Sequence, residues 1–358
     1  MISKPLISII MPAYNAGEYI YAAIQSILDQ TFHDFELIII DDGSIDESQE
    51  IINSFQDERI IYLYNGHNIG NYSSRNRGLN LSKGKYIAVM DADDISFTNR
   101  LEMEYRYMET HPDILAVGSS CICIPSQRLT VPPLSTSGIR LSLLQNNCFI
   151  HSTIMFKRNV ILANNGYNTY FQYAADYELM CRLALKGKVR NLKEPLIYYR
   201  THSEQISNVY GQEQRECAYN IRIGYHKAFI KKYRLRKQNL ISDIEVSYPL
   251  MGTCISLYTY ARKTNNKHIE HEADILLDDI ISIISSELPL KRNGLLGIGC
   301  GLIYLLRNGF VEGDEDEVLT EIDEVVKEKL NSKKNDDSWS FREKDLQEYL
   351  YLRMNRNN

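Results

Sequence analysis

Short apolar runs that end in polar clusters recur through the first part of the chain. Leu6 to Met11 is apolar and rich in isoleucine, and it gives way to Pro12-Ala13-Tyr14-Asn15-Ala16-Gly17, a loop signal. Phe35 to Ile40 repeats the pattern and ends in Asp41-Asp42-Gly43-Ser44. Arg59 to Tyr64 predicts a third strand, and Tyr86 to Met90 a fourth that runs out into Asp91-Ala92-Asp93-Asp94. Runs this apolar are expected of strands covered on both faces.

Between the runs the period changes to that of a helix. Ile20, Ala23, Ile24, Ile27 and Leu28 make one apolar stripe within Glu18 to Gln30. A second helix is expected after Ser44, with Ser44 and Asp46 as caps and Ile51, Ile52 and Phe55 facing inward. A loop with Asn68 and Gly70 leads to a third, which carries Arg75 and Arg77. Strand and helix in alternation predict an α/β fold, a doubly wound and mostly parallel sheet. Its polar strand ends would share one edge, where such sheets bind ligands.

Beyond Asp94 the pattern predicts a helix over Arg100 to Glu109, a strand over Ile114 to Ile124, and an irregular crossing from Pro125 to Asn147. His151 to Arg158 reads as a further strand. Leu179, Met180 and Leu183 form a helical face that puts Asp176 in the first turn, and Pro195 to His202 closes the domain. From about residue 210 the composition changes to helical periodicity, through Ile241 to Leu330, followed by a charged end from Asn331. The expected division is a domain over 1–210, a helical accessory domain over 211–330, and a charged tail or helix over 331–358.

Composition narrows the function classes. The 358 residues are 44% hydrophobic and 24% charged, as in an ordinary soluble protein, and the net charge of -6 argues against a general nucleic-acid binder. Seven cysteines are scattered, and the spacing of Cys121-Ile122-Cys123 does not suit zinc. An odd count without a secretory leader points to a reducing compartment. No apolar run approaches the length of a membrane span. The expectation is a cytoplasmic protein, or one peripheral at the inner face of the membrane. Arg222, His226, Lys227, Lys231, Lys232, Arg234, Arg236 and Lys237 would either meet an anionic surface or form a solvated helix face.

The strongest chemical signal is the acidic cluster after the fourth strand. Three carboxylates within four positions repel one another unless a cation sits among them, and hard oxygen ligands suit Mg²⁺ or Mn²⁺. The alternative is a solvated acidic turn capping the helix that starts near Phe97.

PAYNAGEYIYAAIQSILDQTF, FELIIIDDGSID and RNRGLNLSKGKYIAVMDADD together resemble, in order and spacing, the nucleotide-sugar domain of family 2 glycosyltransferases over roughly residues 5 to 205. That resemblance implies a GT-A fold, an inverting transfer, a nucleoside-diphosphate sugar donor (a UDP-linked one above all), an acceptor hydroxyl on a glycan, lipid-linked glycan or peptide, and a Mn²⁺ or Mg²⁺ cofactor. By the same resemblance Pro12, Ala13 and Tyr14 lie along the base and ribose, and Asp42 reads the base edge. Asp41 is better read as a turn and helix cap. Arg75 approaches the diphosphate, Asp91 the ribose, and Asp93 ligates the metal. Asp176 matches the family's general base, with Ala175 where a glutamate usually precedes it, and Glu178 is the weaker candidate. Arg200 or His202 of the YRxH-like segment reaches the diphosphate or the metal, His202 being the candidate ligand. His151 is expected to be structural more than substrate-facing.

The glycine-rich run from Asn293 to Leu306, with the NGFVEGDEDEVLTEID that follows, resembles one repeat of the lanthionine-synthetase-like α/α toroid, without that family's zinc set. Glycines in an apolar helix are expected to let a neighbouring helix approach closely. A rival to the enzyme is a catalytically idle nucleotide-sugar-binding or scaffold protein gripping a peptide partner; the Ala175 departure leaves it open, and the intact Asp91, Asp93 and Asp176 weigh against it.

Overall fold

The computed structural model describes residues 4–234, 247–265, 267–281, 295–332 and 343–354, and the chain falls into two compact units, Met1–Ile230 and Lys231–Asn358. In the first unit β1 (Ile7–Ala13), α1 (Ile20–Leu28), β2 (Phe35–Asp41), α2 (Ser48–Ser54), β3 (Ile60–Tyr64), α3 (Asn71–Leu81) and β4 (Tyr86–Val89) alternate as the periodicity predicts. These four strands are mutually parallel in the order β3-β2-β1-β4, with Ala13 level with Asp41. Every residue of β1, β2 and β4 is buried, which explains the unbroken apolar runs. Pro12 and Ala13 are therefore the end of a strand, and the loop begins at Tyr14.

Helices cover both faces. Ile20, Ile24 and Ile27 of α1 join Ile7, Ile9 and Met11 in one core. On the other face α3 lies close to the sheet, because Gly78 leaves no room between it and Ile10 and Ile40. That close approach sets Arg75, one turn earlier on α3, over the strand ends.

The second half of the sheet adds antiparallel pairs. After β5 (Ile95–Ser96), α4 (Arg100–Thr110), β6 (Ile114–Ile124), β7 (Arg128–Thr130) and α5 (Thr136–Ser142), a 3₁₀ turn at His151–Thr153 precedes β8 (Met155–Lys157). β8 runs antiparallel between β4 and β6, and β9 (Lys188–Arg200), which follows α6 (Arg158–Ala163) and α7 (Ala175–Lys186), pairs parallel with β6. Two expectations change here. The crossing from Pro125 to Asn147 contains β7 and α5, and the strand expected from His151 starts only at Met155. Ile154 spends its N–H on the carbonyl of His151 and its carbonyl on Val89, so the preceding residues curl instead of pairing. The unit ends with α8 (Ile206–Val209) and most of α9 (Gly211–Arg234).

The second unit is helical among the described residues: α10 (Ser247–Thr264), α11 (Lys267–Ile281), α12 (Leu295–Arg307), α13 (Glu315–Ser332) and α14 (Glu343–Met354). The glycines of α12 act as expected of an apolar helix. A Cβ at Gly299 would overlap the ring of Tyr349 on α14, and one at Gly301 would overlap Met251 on α10. The charged C-terminal stretch contributes a packed helix, since Tyr349 is fully buried and donates to Asp323 at 2.5 Å. Of the stretches singled out above, Arg236, Lys237 and residues 241–246, 266, 282–294, 333–342 and 355–358 lie outside the described residues. No described helix is long and apolar enough to cross a membrane.

Candidate active site

The acids after β4 are gathered but do different work. One ligand oxygen each from Asp91, Asp93 and Asp94 lies within 4.8 Å of the others. Asp94 is buried and accepts the backbone N–H of Arg200 at 2.9 Å, tying the end of β9 to the cluster. Asp91 receives the Arg75 guanidinium and the hydroxyl of Ser152. Among the described residues the Asp93 carboxylate pairs with His202, its Oδ2 lying 3.0 Å from Nε2. Unlike Asp91, Asp93 has no arginine on its carboxylate.

Burial would raise the Asp91 carboxyl, but Arg75 overrides it and holds Asp91 below the usual carboxylate range. Burial and then the charge on Asp91 push Asp93 up, and burial with both neighbouring acids pushes Asp94 well up. One ionised acid therefore makes ionisation of the next two costly. A hard divalent cation would relieve that repulsion, and an all-carboxylate set with one imidazole nearby fits Mg²⁺ or Mn²⁺.

Arg75 is almost completely buried on α3, and its Nε and Nη1 have no partner among the described residues while Nη2 serves Asp91. Buried guanidinium donors without partners are rare and suit an anionic ligand. Arg200 is more committed: its Nε donates to the carbonyl of Asp93 at 2.8 Å and its guanidinium stacks on Tyr19, 4.8 Å away. His202 packs on the same ring at 4.9 Å, with its Nδ1 buried and unpartnered.

On the other side of β1, Tyr14 is half exposed, whereas Pro12 and Ala13 are buried and Ala13 accepts the Asp42 N–H at 2.8 Å. Asp42 is also buried. Its Oδ1 accepts from Asn65 Nδ2 (2.7 Å) and the Ile69 N–H (3.0 Å), and its Oδ2 from the Gly70 N–H (2.9 Å). Gly70 caps α3 at a φ of 94°, which glycine adopts freely. Asp42 therefore holds the loop that launches α3, and only Oδ2 keeps capacity for a further donor. Asp41 anchors the turn through the Ser44 N–H (2.8 Å) and the Tyr62 hydroxyl (3.0 Å).

Asp176 stands apart from the acidic cluster, in the first turn of α7. It does not cap that helix, whose N-cap residue Ala174 makes no side-chain bond. Its oxygens are instead taken one each, by the Tyr72 hydroxyl and by Asn147 Nδ2, both at 2.7 Å. Tyr72 in turn stacks on Tyr167 at 5.4 Å. Glu178 is committed elsewhere, paired with Arg182 at 2.6 Å, which also donates to the carbonyls of Asn164 and Gly166. His151 bonds the Tyr167 hydroxyl through Nε2 at 3.0 Å, and burial, then Arg75, pushes its imidazole down to about 4, so it is neutral near neutrality.

Tyr72, Asn147, Ser152 and Tyr167 carry no sequence signal of their own. Tyr72 alone could have been inferred, standing three positions before Arg75 and hence on the same helix face. Asn147 lies in a stretch without periodicity, and only tertiary structure brings it to Asp176.

Comparison with known proteins identifies the family and the fold. The family model of glycosyl transferase family 2 matches residues 8–170. The chain is 36% identical over 233 residues to an uncharacterised glycosyltransferase of Haemophilus influenzae, covering 61% of this chain and 72% of that one. It is 34% identical over 208 residues to WfaP of Escherichia coli, a UDP-Glc:alpha-D-GlcNAc-diphosphoundecaprenol beta-1,3-glucosyltransferase, covering 56% and 80%. Among solved structures it is similar to Staphylococcus aureus TarS residues 1-349 in complex with UDP-GlcNAc, with a TM-score of 0.55, 15% identity, and 91% and 92% of the two chains covered. That last similarity is one of fold. None of these matches supports the toroid resemblance of the glycine-rich run.

Proposed function

The chain belongs to glycosyl transferase family 2, and on that premise we propose that it moves a sugar from a UDP-sugar to an acceptor hydroxyl with inversion, assisted by a divalent cation. The observation that carries the reading is a separation of roles among neighbouring side chains. An acidic cluster lies beside Arg75 donors that have no partner among the described residues, and a separate carboxylate, Asp176, is clamped by Tyr72 and Asn147.

An inverting transfer needs both ends. The acceptor oxygen attacks the anomeric carbon from the face opposite the leaving diphosphate, and its proton must be taken as the new bond forms. Asp176 takes that proton, while Tyr72 and Asn147 fix its carboxylate in one orientation. The breaking bond's electron pair leaves with the nucleoside diphosphate, and Nε and Nη1 of Arg75, without partners among the described residues, would meet that charge. Asp93 and His202 would hold the metal, with Asp91 beside them. When bound, the ion would offset negative charge as it grows on the diphosphate. Tyr14 would lie along the nucleoside, and Asp42 would read the base through the capacity left on Oδ2.

The activity named for WfaP favours a saccharide acceptor carried on a lipid, as in surface polysaccharide assembly, and such an acceptor would bring the protein to the inner membrane face as a peripheral enzyme. The test is release of UDP from UDP-glucose and UDP-N-acetylglucosamine by the full chain, with Mn²⁺ and with EDTA. Metal-dependent release from one of them supports the reading. Absence of both UDP binding and UDP release, with and without metal, would sink it.

A further inference from the structure

A line of side-chain contacts joins the two ends of the site, and one member of it has a polar atom with nothing to bond. Ser152 donates to Asp91. Its neighbour His151 bonds Tyr167, Tyr167 stacks on Tyr72, and Tyr72 donates to Asp176. The contacts span from the acid beside the proposed diphosphate position to the proposed base. His151 Nδ1 is buried and has no partner among the described residues. Nε2 is already used by the Tyr167 hydroxyl, and the ring is further held edge-on to Tyr167 at 5.5 Å.

Buried polar atoms without partners are uncommon and call for an explanation. In an in-line transfer the sugar ring must sit between the leaving diphosphate and the base. His151 is close enough to both ends of the site that Arg75, Asp176 and Asp91 all act on its ring. We propose that His151 Nδ1 bonds a hydroxyl of the donor's sugar ring, making His151 a specificity-determining residue that Tyr167 holds in place. This rests on the reading of the chain as a nucleotide-sugar transferase. A phosphate is the poorer partner, because Arg75 already supplies donors there and a neutral imidazole adds no charge. A hydroxyl can donate or accept, so it satisfies Nδ1 in either tautomer. The structure thus assigns to His151 the substrate contact that its position in the sequence did not favour.

The experiment is calorimetric titration of the full chain, in Mn²⁺, with UDP, UDP-glucose and UDP-N-acetylglucosamine. Wild type is compared with His151→Ala and Tyr167→Phe. The quantity read is the ratio of UDP-sugar affinity to UDP affinity for the sugar that wild type prefers. His151→Ala should leave UDP affinity within about twofold and lower the ratio by roughly 3- to 12-fold, the usual worth of one hydrogen bond. Tyr167→Phe keeps the ring on Tyr72 and loses only the hydroxyl, so the ratio should fall in the same direction by less. An unchanged ratio in both variants overturns the proposal. So does an equal loss of UDP and UDP-sugar binding in Tyr167→Phe, which would make the pair part of the nucleotide scaffold. If His151→Ala does not fold, Tyr167→Phe decides alone. Failure of wild type to bind any uridine nucleotide would instead remove the donor reading, and this inference with it.

Discussion

The hydroxyl of Tyr72 donates to Oδ1 of Asp176 at 2.7 Å, across 104 positions of sequence. One residue comes from α3, the helix that carries Arg75, and the other from the first turn of α7. Tyr72→Phe keeps the stacking on Tyr167 and removes only that donor. Turnover should fall roughly 10- to 100-fold and UDP affinity should hold, since a hydrogen bond to a charged carboxylate is worth about 1.5–3 kcal/mol. Steady-state kinetics beside calorimetry checks it; an unchanged kcat would show that the clamp does not matter.

Asp176→Asn separates base from scaffold. Asn keeps the size and one acceptor oxygen for Asn147, and its amide can face the Tyr72 hydroxyl, which can accept, so the melting transition should correspond to a loss of about one hydrogen bond, ~0.5–1.5 kcal/mol. It cannot take the acceptor's proton, and turnover should drop roughly 10²- to 10⁴-fold. Glu178→Gln is the control: its carboxylate is spent on Arg182, so turnover should stay within about twofold of wild type. If the two variants lose turnover equally, Asp176 is not the base.

Asp93→Asn should weaken metal-dependent UDP binding tenfold or more, because a direct ligand is worth at least ~1.4 kcal/mol. Metal-independent binding should change little. Equal affinities for variant and wild type in Mn²⁺ would remove Asp93 from the ligand set.

A buried pair beneath β4 sets a pH dependence of stability. Arg100 and Glu104 are both 0% exposed and 3.0 Å apart, and Arg100 Nη2 donates to the carbonyl of Val89 at 2.8 Å. Burial outweighs the attraction of Arg100 and pushes Glu104 up to about 7, its Oε2 having no partner. The folded value lies above the unfolded one. The contribution is therefore fully present below the free carboxyl's value of about 4.3, and it is lost as pH rises through about 7. Relative to wild type, Glu104→Gln should gain stability by on the order of 3 kcal/mol between pH 5 and pH 8. Urea unfolding at the two pH values reads this directly; a difference independent of pH would mean that Glu104 is ionised throughout.

The local periods were sufficient to place β1 to β4 and α1 to α4, because strands buried on both faces and helices buried on one leave periods that differ. They also placed Asp91, Asp93 and Asp94 at a strand's end and Asp176 at a helix's start, since both positions depend on near neighbours in the chain. Where the period was weak, as between Pro125 and Asn147, α5 and β7 were missed; their register depends on contacts with β6, α7 and β9.

The amino-acid sequence by itself determined the family, the sheet's polar edge and the acids that crowd it, all of which follow from local pattern and motif order. Only the tertiary structure decided what each acid is free to do. Asp94 is committed to the Arg200 backbone, Asp42 to the loop before α3, and Glu178 to Arg182. Among the described residues the Asp93 carboxylate pairs with His202, Asp176 is held by two residues from distant segments, and His151 has one nitrogen without a partner. The reason is physical: a carboxylate or imidazole has the same identity wherever it stands, and its chemistry is set by burial and by the donors that folding brings within 3 Å, about the reach of a hydrogen bond.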